Sequence, residues 1–401
     1  MSTSISMTRT PTPQLPTPLR WSVAVFGVVL GLTLWLSQMH HLFGWGDHAS
    51  KNADALFAHQ LALWNDASWA SEQSRNRATN PEWDFMGRTF LTYALAERAR
   101  THPEERDRDL AQMDALIEQT LRDEREHGMF YFLMPYGRAK PFVVEPVRSQ
   151  FLDGEIALML AERRSVAEKL EYQPLLQERV RLMEQRMRQS PVLSAESYPD
   201  ECWTFCNAIA LAAIALSDQL DGTDHRSLLD GWVRVAKERL IDPKTGLLVS
   251  SYHLDGKSMD GPEGSSIWLV AHMLKAVDPE FARDQYQRAK SELAVEIDGF
   301  GFSREWPHSR PGSLDIDSGL VVPVIGASPS ASGFALLAAQ SFGDDAYLES
   351  LHRSLDFAAF PERTSTGELH YLASLPVGDA VLLYATTITP EWPALHMGAI
   401  R

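Results

Sequence analysis

From residue 55 onward, apolar side chains return at three- and four-residue intervals in one segment after another, and this periodicity is the strongest constraint on the fold. The series begins with ALFAHQLALW (55–64), FMGRTFLTYALAERA (85–99) and LAQMDALIEQTLRDE (110–124). It continues through FLDGEIALMLAERR (151–164), LLQERVRLMEQRM (175–187), FCNAIALAAIALSDQL (205–220) and LLDGWVRVAKERLI (228–241). SSIWLVAHMLKAV (265–277), FARDQYQRAKSELA (281–294), ASGFALLAAQSF (331–342), AYLESLHRSLDFA (346–358) and VGDAVLLYATT (377–387) complete it. Turn-forming runs such as DGTD (221–224), DPKTG (242–246) and LDGKSMDGPEG (254–264) separate them. Strand-like alternation is sparse, with LLVSSYH (247–253) the candidate for a short hairpin arm. Some twelve helices paired as hairpins within about 350 residues predict one all-α domain over 50–401, an (α/α)6 toroid with a central cavity. An open solenoid is the alternative, but no fixed repeat motif supports it.

The N-terminus is of a different kind. Residues 1–20 are rich in Ser, Thr and Pro and carry Arg9 and Arg20 with no acid, as expected of a disordered cytoplasmic segment. Trp21 to Met39 then run without a charge. About 20 apolar residues cross a bilayer as a helix, so 21–39 is predicted to be a transmembrane anchor. Arginines ahead of it favour a cytoplasmic N-terminus and a main domain that is periplasmic or extracellular. A cleaved signal peptide is the rival reading, but SQMHHLFGWG offers no small-residue cleavage site.

The formal charge of −16 opposes a nucleic-acid partner, which must be met by cations that replace phosphate counterions. Two cysteines, Cys202 and Cys206, make neither a disulfide framework nor a four-thiolate zinc site, although outside the cytoplasm they could oxidise. No G-x-S-x-G, H-E-x-x-H or Gly-rich phosphate loop is present.

Candidate chemistry centres on a few acids and the cysteines. Glu155 lies four residues from both Phe151 and Met159, on the apolar stripe of its helix. A carboxylate there must find a cation, such as Arg148, raise its pKa, or line a cavity. Asp200, after Pro199, sits where a helix cap is expected and is also a candidate site acid. Glu263 begins another helix, where its charge suits the helix dipole, and is a candidate site residue as well. Cys202 and Cys206 are expected one helical turn apart, either as small buried hydrophobes or as thiols whose pKa a helix start lowers. Asp315 and Asp317, in RPGSLDIDSG (310–319) beside Arg310, are expected to line the cavity mouth or cap the next helix.

Taken together, YPDECWTFCN (198–207), DGTDHR, LIDPKTGLL and SYHLDG resemble the linalool dehydratase-isomerase family. The resemblance is clearest from Tyr198 to Ala294. It implies an exported (α/α)6 barrel that works without a cofactor or metal and uses an apolar pocket with a few acid–base side chains. Cys206 matches the family cysteine that precedes asparagine, Ser197 stands where the companion cysteine lies, and Glu155 after Gly154 stands where the family has histidine. Glu155, Asp200 and Cys206 are therefore the expected catalytic residues. Ser197, Tyr198, Trp203, Tyr252, Glu263 and Asp317 are expected to contact a small-molecule substrate. The expected reaction is acid–base dehydration or isomerisation of an alcohol, on a substrate as apolar as a terpenoid or more polar. Two alternatives stand beside it. One is a carbohydrate-active hydrolase or lyase, with Trp203, Tyr252 and Trp268 as sugar-stacking rings. The other is an anchored binding protein without catalysis, in which Glu155 is salt-bridged in a filled core.

Overall fold

The computed structural model describes residues 16–46, 49–65, 70–314 and 318–393, so the expectations for Asp315 and Asp317 lie outside the described residues. The described chain is mostly helical. In order, the helices are α1 (Thr17–Leu36), α2 (Ala49–Asn65), α3 (Ala70–Thr79), α4 (Pro81–Thr101) and α5 (Arg106–His127). Next come α6 (Gln150–Val166), α7 (Gln173–Met187), α8 (Thr204–Asp221), α9 (Arg226–Arg239) and α10 (Gly264–Met273). The last are α11 (Pro279–Leu293), α12 (Pro329–Phe342), α13 (Asp345–Ala358) and α14 (Pro376–Thr387). Every segment with helical periodicity forms a helix. The polar α3 carries no apolar stripe to announce it.

Helices α4, α6, α8, α10, α12 and α14 each pack on the next, and α14 closes back onto α4. This is the inner ring of an (α/α)6 toroid. Helices α5, α7, α9, α11 and α13 alternate with the inner ones along the chain, and α2 and α3 lie against α14 and α4. The inner helices are rich in Ala, Leu and Ile, and α8 is buried from Thr204 through Ser217 because it has neighbours on every side. The outer helices show the narrower stripe of a half-wet surface. Several starts are fixed by the side chain just ahead: Asn80 accepts from Glu82 N (2.8 Å) before α4, and Ser328 accepts from Ala331 N (3.2 Å) before α12.

Because outer and inner helices alternate, the inner helices all run the same way and begin on one face. Hydrogen bonds stitch these starts together: Gln150 N donates to Glu196 O (2.7 Å), Thr204 N to Ser250 O (2.9 Å), and Gly264 N to Glu305 O (2.6 Å). Helices α6, α8 and α10 thus each begin against the connection that leads into the next inner helix. That face, the mouth, also carries the small β-structure. Strands β1 (Cys202–Trp203), β2 (Ser251–Tyr252) and β3 (Ser258–Asp260) form one antiparallel sheet. Hairpins β4 (Ala294–Ile297) with β5 (Phe300–Ser303), and β6 (Pro361–Arg363) with β7 (Leu369–Tyr371), precede α12 and α14.

The N-terminal helix begins at Thr17, earlier than the uncharged stretch suggested, because Pro16 and Pro18 supply a ready helix start. Residues 17–20 are therefore helical rather than disordered. α1 is long and apolar enough to cross a membrane, and its exposed apolar side chains run from Leu19 to Leu36.

Candidate active site

Glu155 lies in the second turn of α6, fully buried. The phenol of Tyr93, on α4, donates to its Oε2 at 2.5 Å and lies 3.2 Å from its backbone carbonyl. The other carboxyl oxygen, Oε1, is buried without a hydrogen-bond partner among the described residues. Among the described residues no cation pairs with it. Burial pushes the Glu155 pKa up to about 7, against a smaller downward pull from the Tyr93 and Thr89 hydroxyls. Near neutral pH it is a carboxylic acid with a proton to give.

Arg148, the expected partner, pairs instead with Asp153 (2.8 Å from Nε to Oδ2) and with Glu124. Arg179 and Arg186 from α7 add bonds of 2.7 and 2.6 Å to the Asp153 carboxylate. Burial alone would raise that pKa too, but the three guanidiniums hold it down at about 2. Two residues turn a helix by about 200°, so Asp153 faces the outer wall and Glu155 the ring axis. Gly154 between them lets the helices close up: a Cβ there would meet Ala210 of α8 at 3.2 Å.

One turn before Ala210 on α8 is Cys206. Its thiol lies near Ser197, Glu82, Glu155 and Glu201. Burial pushes its pKa well up, the Ser197 hydroxyl draws it back, and the three carboxylates push it up again. The lowering expected of a helix start is overruled, and Cys206 is a neutral thiol. Both cysteines are free and buried, and Cys202 is not one helical turn from Cys206, since it lies on β1 opposite Tyr252.

Ser197 and Tyr198 stand on the connection that runs over the mouth into β1. Asn207 fixes this connection, accepting from Ala195 N (3.0 Å) while donating to Ala195 O (3.1 Å) and Trp203 O (2.9 Å). Ser149 donates to Ser197 O (2.7 Å), and among the described residues buried Ser197 Oγ has no partner of ordinary hydrogen-bond geometry. Tyr198 donates to Glu82 Oε1, accepts from Met134 N (2.8 Å) and stacks on Tyr136 with ring centres 4.3 Å apart. Trp203 is half-buried and gives its indole N–H to Glu201 Oε1 (2.6 Å).

The remaining expected residues fall elsewhere. Asp200 caps no helix: it is the corner of a turn closed by Tyr198 and Glu201, with φ 51°, a conformation that Asp tolerates. Its carboxylate points outward to His253 Nδ1 (3.1 Å). Tyr252 is fully buried and shares a hydrogen bond with the Ser194 hydroxyl (2.8 Å). Trp268 is equally buried and donates to Ser303 Oγ (2.7 Å). Glu263 precedes α10 at the mouth, its N–H bonded to Ser250 Oγ (2.8 Å).

Aromatic rings from several inner helices pack against one another around Tyr93, the partner of the acid. Phe90 and Tyr93 of α4 are 5.6 Å apart, Phe334 of α12 is 5.7 Å from Phe90, and Phe205 of α8 is 5.8 Å from Phe334. Tyr384 of α14 lies 5.7 Å from Tyr93 and bonds His272 Nε2 (3.0 Å) beneath it. Sequence reasoning passed over Glu82, Tyr93 and these rings. Each sits where an ordinary helix start or core stripe needs such a residue, and spacing alone does not distinguish them.

A closed ring of inner helices around a buried carboxyl group whose pKa burial raises defines an (α/α)6 toroid with a candidate acid at its centre. The family model for linalool dehydratase/isomerase matches residues 168–374, about half the chain, and the protein belongs to that family. No curated protein matches it. Among solved structures, cellobiose 2-epimerase from Bacillus thermoamylovorans B4167 is similar at TM-score 0.53 and 12% identity, covering 75% of this chain and 87% of its own. A variant of an unsaturated glucuronyl hydrolase is similar at TM-score 0.50 and 11% identity, covering 74% and 84%. At such identities these likenesses establish the fold.

Proposed function

We propose that this protein is an enzyme that dehydrates or isomerises an alcohol by acid catalysis, with Glu155 as the acid. The observation that supports this most is the state of Glu155: buried, without a cation, protonated to about pH 7, with one oxygen held by Tyr93 and the other unpaired. In this reading Oε1 gives its proton to the substrate hydroxyl, the C–O bond breaks, and water leaves. Positive charge then develops on carbon amid aromatic rings and near the carboxyl groups of Glu82 and Glu201. The Glu155 carboxylate next takes a proton from the adjacent carbon, which yields an alkene and restores the acid. Return of water at a different carbon gives the isomerised alcohol instead. Ser197 Oγ and the neutral Cys206 thiol serve as hydrogen-bonding groups for the departing oxygen.

Asp200, held by His253 at the surface, is not needed as the base, and a neutral Cys206 is a poor one. The aromatic surroundings of the acid favour an apolar substrate. General acid–base help of this kind contributes roughly 10²–10⁴-fold. Glu155→Gln keeps the shape and the Tyr93 hydrogen bond but has no proton to give. It is expected to abolish turnover of a tertiary allylic alcohol with the circular dichroism spectrum unchanged; an active Gln variant contradicts the assignment.

A further inference from the structure

Outside α1, the large apolar side chains that face water are not scattered over the toroid. Nearly all lie in the connections that lead into inner helices, among them Ile297, Leu320 and Val324 before α12 and Phe360, Leu372 and Leu375 before α14. Among the described residues, the exceptions are Leu42 after α1 and Phe357 in the last turn of α13, and Leu170 and Leu175, between α6 and the first turn of α7, on the opposite face. Single exposed apolar residues are ordinary, but a face that collects them marks a contact surface.

The segment after α1 is fastened to this same rim. Gly44 N donates to Asp356 Oδ2 (3.0 Å) and Trp45 Nε1 to Tyr371 OH (3.0 Å), while Phe43 meets Phe357 edge-on at 5.2 Å. Leu42, 73% exposed, stands beside them. Six residues lie between Leu36 and Phe43, and these seven steps reach about 25 Å at full extension. Part of that length is a 3₁₀ turn over Met39–Leu42 that shortens it. A helix of bilayer-crossing length is thus tied on a short lead to the apolar face and not to the polar one. Around Phe360 and Leu372 the charges are mixed, Arg363 with Glu362 and Glu368, so attraction to anionic lipid is not what the face offers.

We propose that the mouth face rests on the bilayer that holds α1, with its apolar loops in the headgroup–acyl boundary, and that the substrate is a lipid-dissolved alcohol that enters the ring directly from the membrane. The second clause rests on the dehydratase reading; the first does not.

The test uses the full chain in phosphatidylcholine nanodiscs with a nitroxide on Leu320→Cys, Phe360→Cys, Leu372→Cys or Leu170→Cys, the native cysteines being buried. Labels at 320, 360 and 372 are expected to relax with oxygen and to be shielded from a water-soluble nickel chelate, and the label at 170 to do the reverse. Four labels that all report water overturn the proposal. So do mouth labels shielded from both agents, which would mean that a second protein copy covers the face. In a parallel assay, Leu372→Asp is expected to lower kcat/KM about tenfold for a membrane-partitioning alcohol and to leave a short water-soluble analogue unaffected. Equal rates on both substrates overturn the membrane route. Should neither alcohol be turned over by the unaltered chain, the dehydratase reading fails while the labels still decide the surface.

Discussion

Asp153 and Glu155 sit two positions apart on one helix and are driven to opposite charge states, one by three arginines and the other by none. The apolar stripe around Glu155 was legible in the sequence. Its true neighbours were not, because Arg148 lies close enough in sequence to serve either acid and only the helix rotation decides. Of the two readings of Cys206, the buried neutral thiol holds rather than the activated one: a helix start lowers a thiol's pKa, but full burial among carboxylates outweighs it. Two expectations follow for Glu155. Removing the Tyr93 hydroxyl takes away a bond that favours the carboxylate, so Tyr93→Phe should raise the pKa and move the alkaline limb of the pH–rate profile above that of the unaltered enzyme. An unchanged limb would separate Tyr93 from the acid. Folded Glu155 also keeps its proton to about pH 7, whereas the unfolded residue loses it near 4.5. Stability therefore falls as pH rises through that window. Glu155→Gln escapes this cost and should be more stable than the unaltered chain near pH 8, by at most about 3 kcal/mol. Thermal melts at low and high pH measure the difference.

At the scale of elements, the motifs that reveal the family mostly build turns. Asp218 in the segment ahead of GTD accepts from His225 N (2.7 Å), and Asp242 of LIDP accepts from Thr245 N (3.0 Å) and its hydroxyl (3.0 Å). The Pro199–Asp200 pair forms a turn corner, and in Ser-Tyr-His each side chain bonds a neighbouring loop. These residues were readable because turn geometry demands particular side chains. For the same reason they say more about fold than about reaction. Asn207 is the strongest case: it makes three buried hydrogen bonds that hold the 194–203 connection over the site. Asn207→Ala leaves their partners unmatched and should cost about 3 kcal/mol or more, with Ser197 displaced. A loss under about 1 kcal/mol in denaturant melts would show that the connection is held by other means.

At the scale of the molecule, twelve apolar stripes and the turns between them sufficed to foresee a toroid, since inner helices buried all round must close on themselves. Which face would be the mouth could not be read from periodicity. It follows from the common direction of the inner helices, which also explains how Glu82, Cys206 and Glu263 share one rim although they are far apart in sequence. The hairpins β4–β5 and β6–β7 were missed because each is too short for alternation to register. The ring buries one acid away from water and from the three arginines that serve its neighbour. Infrared difference spectroscopy of the full chain, unaltered minus Glu155→Gln, from about pH 5 to about pH 9, tests this without knowledge of the substrate. A protonated carboxyl band that persists to about pH 7 and then gives way to carboxylate is the predicted result. A carboxylate signal already complete at about pH 5 would contradict it.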